Sequence, residues 1–336
     1  MTGVQTCALP IFEPVLRFLH AVDQRAEGHY QAFDPPGRDV DYEELAFLVG
    51  QLHRAVDLSQ ENPALHQLIR ELAESETGGD LYAVGDLAEQ AWNYIRDVTR
   101  TMLDRTPTRT DHLAVITDAC HQVESVDLFT LNHDLMLEAA LRDAGVPFSD
   151  GFERLYGDLL VWNDTFSRST RLFKLHGSIS WWGYGLPDEG WRGYVTARAT
   201  NGDPFHVRGP DGQMLQIPHD LRPIFLAGTF DKLFGYEGWV FPDQHYRFQE
   251  TLRASNRLVV IGYGFRDQAI NSRLIGWLNR TEENRMIVVH GNPDEIPTLA
   301  RMAIENHWGR WVGDGRVRLV RSWVADTSWD AVAAEL

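Results

Sequence analysis

Two short apolar segments, each followed at once by polar residues, constrain this chain more than any other feature. Val126 to Leu131 runs into TLNHD at residues 130–134, and Arg171 to Leu175 runs into LHGS at residues 175–178. Apolar runs this short are typical of buried strands, and an open α/β sheet binds its ligand where its strands end. We therefore expect the two polar runs to line one crevice.

Strand and helix patterns alternate in the rest of the chain. The strand Val126 to Leu131 precedes a helical pattern from Leu135 to Ala144, which ends at Gly145, a residue type that favours helix C-termini. This order predicts an α/β fold with a doubly wound, Rossmann-like parallel sheet, because strand followed by helix is the unit of such a sheet. Two further units follow: Leu258 to Gly262 before Ala269 to Leu278, and Met286 to His290 before Ile296 to Ile304.

Two accessory regions are expected around this core. A helical lobe over residues 13–122 is predicted by the apolar periodicity of Val40 to Leu58, Ala64 to Leu72 and Leu81 to Leu103. An inserted small lobe at residues 179–245 is predicted because Trp181 to Pro242 is rich in Gly, Pro, Trp and Asp. Residues 13–336 then form a single domain, with its Rossmann-like core in residues 123–178 and 246–336.

Composition excludes several classes of partner. The net charge of −17 and the lack of a Lys/Arg cluster interleaved with aromatic residues argue against direct contact with nucleic acid or anionic lipid. Cys7 and Cys120 are the only cysteines, which excludes a disulfide framework and thiolate zinc sites, and we expect no metal. No apolar run approaches the roughly 20 residues of a membrane-spanning helix. We expect a cytoplasmic protein.

A third motif follows the strand Leu258 to Gly262. Its residues Gly262, Tyr263, Gly264 and Phe265 lead through Asp267 into a helical pattern. Glycines let a backbone approach a phosphate or ribose closely, and a helix N-terminus favours negative charge. The alternative interpretation is an ordinary strand-to-helix turn.

The three motifs together resemble the sirtuin superfamily, and the turn resembles the GYxFxDxxIN form of bacterial sirtuin-like proteins, with Ile270 and Asn271 in place. The resemblance implies that NAD is the substrate. It also implies that Asn132, Asp134 and His176 surround the nicotinamide ribose. The other residues that it places at NAD are Thr130, Gly177, Ser178, Gly262, Tyr263, Gly264, Phe265 and Asn292, the last at the adenine ribose.

The resemblance is incomplete in two places. His133 and Leu131 stand where other residue types are usual in the family, which affects substrate choice more than NAD binding. Sirtuin-like proteins also open with a Gly-rich loop for the NAD phosphates, and residues 1–12, MTGVQTCALPIF, contain none. We interpret residues 1–12 as a non-native segment that resembles a translated sequencing adapter; a disordered natural terminus is the alternative.

The reaction implied by the resemblance suits two of these side chains. Cleaving nicotinamide from ribose passes through a sugar cation and releases a neutral leaving group, so the site needs a base near neutral pH rather than a strong acid. His176 is the candidate base, and the Asn132 amide can orient both a ribose hydroxyl and a water. His176 could instead cap a strand end, Asp134 could be only a helix N-cap, and Trp181 and Trp182 could wall the pocket or belong to the core.

The favoured function is an NAD glycohydrolase that yields nicotinamide and ADP-ribose, and the resemblance implies a role in anti-phage defence. One alternative is an NAD-dependent protein deacylase, although deacylating sirtuins carry a four-cysteine zinc ribbon that two cysteines cannot build. Another is a non-catalytic module that binds NAD or ADP-ribose. Because uncontrolled NAD hydrolysis would harm the host, we expect a homo-oligomer or a defence-system partner to regulate the enzyme.

Overall fold

The computed structural model describes residues 49–50, 70–71, 73–74, 77–105, 109–187, 193–215, 217–226, 239–301 and 303–336. The chain divides into two compact units, Met1–Met102 with Leu226–Phe234 and Leu103–Phe225 with Gly235–Leu336. Helix α1 (Leu81–Leu103), which belongs to the first unit up to Met102, has the predicted bounds. Residues 1–12, which we interpreted as a non-native segment, lie outside the described residues, and so does most of the other two predicted helices of the helical lobe.

All the motifs singled out in the sequence lie in the second unit. Its α-helices and strands follow each other along the chain in this order: α2 (Ala114–Gln122), β1 (Val126–Thr130), α3 (Met136–Asp143), β2 (Phe148–Ser149), β3 (Arg154–Tyr156), β4 (Leu159–Val161), β5 (Thr170–Lys174), β6 (Trp182–Tyr184), β7 (Val195–Ala199), α4 (Phe241–Ala254), β8 (Arg257–Ile261), α5 (Gln268–Leu278), β9 (Arg285–Val289), α6 (Ile296–Leu299), α7 (Ile304–Gly313), β10 (Val317–Val320) and α8 (Trp329–Ala333). Short 3-10 turns stand at Asp111–Leu113, Pro293–Glu295 and Val324–Asp326.

The strands of the α/β core are parallel, as predicted, but they form two sheets. One sheet has the order β1-β5-β2 and the other the order β10-β9-β8, with every pairing parallel. The sequence predicted one doubly wound sheet. Among the described residues no hydrogen-bonded pairing joins β1 to β8, so the prediction of a single continuous sheet was wrong in this respect.

Helices cover both faces of these sheets, because successive strand residues point to opposite sides. On β8, Val260 packs in a cluster with Phe248 of α4, whereas its neighbour Val259 packs in a second cluster with Ala119 of α2. Phe129 of β1 joins the first cluster, and its ring lies 4.9 Å from the ring of Phe248. Helix α4 therefore packs against residues of both parallel sheets.

A separate antiparallel sheet has the strand order β3-β4-β7-β6. We predicted a small lobe from residues 179–245 alone, but β3 and β4 come from residues 154–161, which were assigned to the Rossmann-like core. The antiparallel sheet has a core of its own, which includes the buried side chains Leu159, Val161 and Trp182. Strands that come before and after β5 in the sequence therefore share one apolar face, and this explains why β3 and β4 belong to the antiparallel sheet.

The helix predicted over Ile296 to Ile304 is two helices, α6 and α7. Ala300 has extended backbone angles, and the Arg301 N–H donates to the Phe265 carbonyl at 2.9 Å. The Arg301 carbonyl also accepts from the Asn271 side chain at 3.1 Å. These contacts with the turn after β8 outweigh the local helical pattern. No helix in the described part of the chain is long and apolar enough to cross a membrane.

A buried ion pair joins the end of β5 to the start of α3. Lys174 Nζ lies 2.8 Å from Glu138 Oε1, and the two side chains are only 3% and 6% exposed. Lys174 Nζ also donates to the carbonyl of Asp134, in the loop before α3. The pair therefore fixes the TLNHD loop against the strand that carries the LHGS loop.

We predict that Lys174→Met lowers the free energy of unfolding by about 3–5 kcal/mol, because it leaves the Glu138 carboxylate buried without its partner. Arg310→Met, which removes the exposed pair with Asp314, should cost less than about 1 kcal/mol. Urea denaturation of both variants measures the difference. Equal losses in the two variants would show that the buried pair contributes nothing special.

Gly177 is required by packing in this fold. Its φ is +82°, and a Cβ atom there would lie 2.4 Å from the Ile224 carbonyl oxygen. We predict that Gly177→Ala costs about 1–2 kcal/mol for the left-handed backbone and about 1–3 kcal/mol more for the clash. Gly212→Ala is the matched control, because Gly212 has a φ of +77° and no described residue comes within 4 Å of its Cβ position. Calorimetric unfolding of both variants should separate the two costs, and a similar loss in both would contradict the packing argument.

Candidate active site

The TLNHD and LHGS loops leave the same edge of the same sheet. Strands β1 and β5 are adjacent and parallel, with Thr130 opposite Lys174. Asn132 and His176 each stand two residues beyond that matched pair, so they occupy equivalent positions on neighbouring loops. The Leu175 N–H continues the pairing by donating to the Thr130 carbonyl at 3.0 Å.

Further hydrogen bonds hold the two loops together. The Ile179 N–H donates to the His133 carbonyl at 3.0 Å, and Ser178 Oγ lies 3.5 Å from the same carbonyl oxygen. The rings of His133 and His176 have their centroids 6.2 Å apart. Residues that are distant in the sequence therefore form one connected cluster.

His176 also connects this cluster to the glycine turn after β8. Its Nε2 atom lies 3.1 Å from Asp267 Oδ2, and the two side chains are 3% and 10% exposed. Asp267 directly precedes α5, and its other oxygen, Oδ1, accepts from the Ile270 N–H at 2.9 Å. Sequence reasoning named no role for Asp267. Its place as the acidic residue before a helix, inside the GYxFxDxxIN pattern, was the available signal.

The two candidate reactive side chains differ in exposure. Asn132 is exposed, and its backbone N–H donates to Thr130 Oγ1 at 3.1 Å, so the predicted site residue Thr130 shapes the loop locally. His176 is buried, at 3% of its full exposure. Asn132 is thus the solvent-facing member of the pair.

Three predicted ligand contacts have structural roles in the fold. Asp134 Oδ1 accepts from the Met136 N–H at 3.0 Å, but the N-cap of α3 is Leu135, so Asp134 holds the turn before the helix and is not the N-cap itself; its contact with nicotinamide stays a prediction. Gly177 makes room for the backbone of Ile224. Ser178 is fully buried, with its hydroxyl 3.1 Å from Ser180 Oγ.

The turn after β8 is uncrowded at its two glycines and is held in place by the side chains of Tyr263 and Phe265. Within the described part of the chain, the nearest non-adjacent neighbour of a Cβ position lies at 3.7 Å for Gly262 and at 3.9 Å for Gly264. Tyr263 Oη donates to Asn271 Oδ1 at 2.9 Å, while Phe265 is fully buried. The turn can therefore offer backbone to a ligand at its glycines, whereas the Phe265 side chain belongs to the core.

Asn292 lies in the loop after β9, the strand that pairs with β8. It is exposed, and its Nδ2 donates to Glu295 Oε1 at 3.3 Å. Trp181 and Trp182, by contrast, are 2% and 3% exposed and pack in the core. Their burial favours the core interpretation over a pocket wall.

A second histidine fixes the backbone just before His176. His245 Nε2, on α4, donates to the Leu175 carbonyl at 3.1 Å. The pKa of His245 is lowered to about 3, mainly by burial and in addition by electrostatic interaction with Arg273 and with protonated His176. His245 is therefore neutral at physiological pH.

Acid should destabilise the protein partly through His245. Because its pKa is about 3 when folded and about 6.5 when unfolded, the unfolded chain takes up the proton first as the pH falls. This one group should remove about 2 kcal/mol of stability between pH 7 and pH 5. In His245→Gln, which keeps a donor but does not titrate, urea denaturation at the two pH values should show a loss smaller by that amount. An unchanged pH dependence would contradict the buried, neutral His245.

The arrangement places an imidazole and a carboxamide on neighbouring loops and pairs the imidazole with a carboxylate. An imidazole of this kind can accept a proton near neutral pH, and an amide can orient a hydroxyl or a water. Within the described ranges, no group of three or more His, Cys, Asp or Glu residues could hold a metal ion.

Comparison with known proteins agrees with the location of these motifs. The family model of the SIR2-like domain matches residues 126–309, which include all three motif loops. No curated protein matches the chain. Proteins with a SIR2-like domain have a Rossmann-like fold and are typically NAD-dependent enzymes, so the match implies NAD binding. Because the matched region is more than half of the 336 residues, the chain belongs to the SIR2-like domain family.

Proposed function

We propose that this protein is an NAD glycohydrolase that cleaves NAD to nicotinamide and ADP-ribose. The observation that supports the proposal most is the equivalent position of Asn132 and His176, two residues beyond the matched pair Thr130 and Lys174 of adjacent parallel strands. An open α/β sheet binds its ligands at this edge. A ribose held there would meet the amide and the imidazole together.

The two side chains have complementary roles in this reaction. As the bond between C1′ and the nicotinamide nitrogen breaks, its electron pair leaves with the neutral pyridine and the ribose becomes cationic. The Asn132 amide orients the attacking water, and His176 accepts the proton that the water loses as it bonds to C1′. Asp134 would hydrogen-bond the nicotinamide carboxamide.

The rest of NAD would lie along the same edge. Among the described residues, Gly262 and Gly264 have only ordinary van der Waals neighbours at their Cβ positions, which suits close approach of a phosphate or ribose to the backbone. The N-terminus of α5 lies just beyond this turn and contributes partial positive charge. Tyr263 and the Phe265 backbone would shape the turn, Gly177 and Ser178 would form the floor near the ribose, and Asn292 would contact the adenine ribose.

The biological role that fits this reaction is anti-phage defence in the cytoplasm, where draining NAD stops an infected cell. Such an activity has to stay off in healthy cells. A homo-oligomer or a defence-system partner would supply this control, and the net charge of −17 makes direct contact with nucleic acid unfavourable.

Incubating the purified chain with NAD, with and without an acetylated peptide, tests the proposal. We expect nicotinamide and ADP-ribose in equal amounts, at a rate that the peptide does not change. Chromatography of the products measures both. Peptide-dependent release of nicotinamide would indicate a deacylase, and NAD binding without turnover would indicate a sensor; either result would refute the proposal.

Two variants test the roles of the side chains. We expect His176→Ala and Asn132→Ala to lower kcat by about 100-fold or more, because each removes a group that acts on the reacting atoms. His206→Ala and Asn201→Ala are matched controls at exposed positions and should keep the wild-type rate. Circular dichroism should show that all four variants are folded. Wild-type turnover in a folded His176→Ala or Asn132→Ala would refute the corresponding role.

A further inference from the structure

We propose that Asp267 is the positioning residue of His176: its carboxylate holds the proton on Nε2 and leaves Nδ1 as the nitrogen that accepts a proton in the reaction. This inference rests on the proposed glycohydrolase function. It adds a residue from the third motif to the chemistry of the first two. It also states which ring nitrogen is the base.

The assignment follows from the contact between the two side chains. Asp267 Oδ2 lies 3.1 Å from His176 Nε2, and both side chains are almost fully buried. An ionised carboxylate only accepts hydrogen bonds, so the nitrogen facing it has to carry the proton. In a neutral imidazole the other nitrogen then has the lone pair. His176 therefore presents a basic Nδ1.

The position of the Asp267 carboxylate is fixed independently of His176. Its Oδ1 caps α5 by accepting from the Ile270 N–H at 2.9 Å. Behind it, Asn271 is fully buried, accepts from Tyr263 Oη at 2.9 Å and donates to the carbonyls of Phe265 and Arg301. A carboxylate held by one oxygen can orient the imidazole with the other, as carboxylates that accept a hydrogen bond from a reactive histidine do.

The charged and titratable groups around the pair favour this arrangement. His245 from α4 interacts electrostatically with both His176 and Asp267, and Arg273 of α5 with His245; His133 comes from the loop after β1. His245 is neutral and adds no charge beside His176. When the His176 imidazole gains a proton, the Asp267 carboxylate is already in contact with it. The negative charge then stabilises the imidazolium.

The proton balance of the step is simple. Water bonds through its oxygen to C1′, the C1′–nicotinamide bond breaks with its electron pair on the pyridine nitrogen, and the water proton moves to His176 Nδ1. The imidazolium, now protonated at both nitrogens, donates to Asp267 and later returns the extra proton to solvent. Asp267 itself stays ionised throughout.

Asp267→Asn separates this role from simple helix capping. Asn is as good an N-cap as Asp, so the variant keeps the bond to Ile270, but it loses the negative charge and turns an NH2 donor instead of an acceptor oxygen toward Nε2. We expect its kcat for NAD to fall by about 100-fold, with KM nearly unchanged, because the lost interaction matters most once the imidazole is charged. The unfolding midpoint should stay at the wild-type value.

The matched control is Asp203→Asn. Asp203 Oδ2 lies 2.8 Å from His206 Nδ1 in an exposed loop, so the change removes the carboxylate of a histidine pair that has no part in the site. This variant should keep the wild-type kcat. A wild-type kcat in Asp267→Asn as well would show that Asp267 only caps the helix and would overturn the proposal.

A second measurement needs no enzyme activity. Nitrogen-15 spectra of the histidine rings report which nitrogen carries the proton, and His176→Ala identifies the His176 signals by their loss. We expect the Nε2–H tautomer in the wild type and a mixture of tautomers in Asp267→Ala. An Nδ1–H tautomer in the wild type would overturn the proposal even if NAD is hydrolysed. Absence of NAD hydrolysis by the wild type would refute the proposed function, and the ring spectra would still decide whether Asp267 sets the tautomer.

Discussion

The parallel pairing of β1 with β5 is the constraint on which the site depends. It places Thr130 opposite Lys174. Asn132 and His176, each two residues further along, therefore lie on neighbouring loops. The buried ion pair between Lys174 at the end of β5 and Glu138 in α3 helps to hold this register. A shift of the strands by one residue would turn alternate side chains to opposite faces and separate the two groups.

The proposed chemistry needs a second constraint, which comes from a different sheet. Asp267 follows β8, yet it contacts the histidine that follows β5. The contact connects the carboxyl ends of both parallel sheets, and helix α4, which packs on residues of both, supports it through the bond from His245 to Leu175. The site is thus a convergence of three loops rather than a property of one motif.

Much of this was predictable from the sequence, and for a physical reason. The strands β1, β5, β8 and β9 lie within one residue of their predicted bounds, because each is a short run with apolar aliphatic or aromatic residues at its centre, which favours a strand. The placement of Asn132 and His176 at one sheet edge followed from the same patterns. Strands of this kind depend on local composition, so each can be predicted from its own segment of the sequence.

Features that depend on distant contacts could not be predicted in the same way. The break before α7 arises from hydrogen bonds between Arg301 and the turn after β8. The pairing of Asp267 with His176 requires two loops to meet. Strands β3 and β4 join the antiparallel sheet because of a shared apolar face, which neither strand shows alone.

The central claim is that NAD binds with its nicotinamide ribose between the loops of Asn132 and His176. The most direct measurement is a crystal structure of the His176→Ala variant with NAD, in which the substrate should remain intact. We predict density for the nicotinamide ribose beside Asn132 and position 176, with the pyrophosphate near Gly262. A dinucleotide bound elsewhere, or no bound NAD at saturating concentration, would contradict the account.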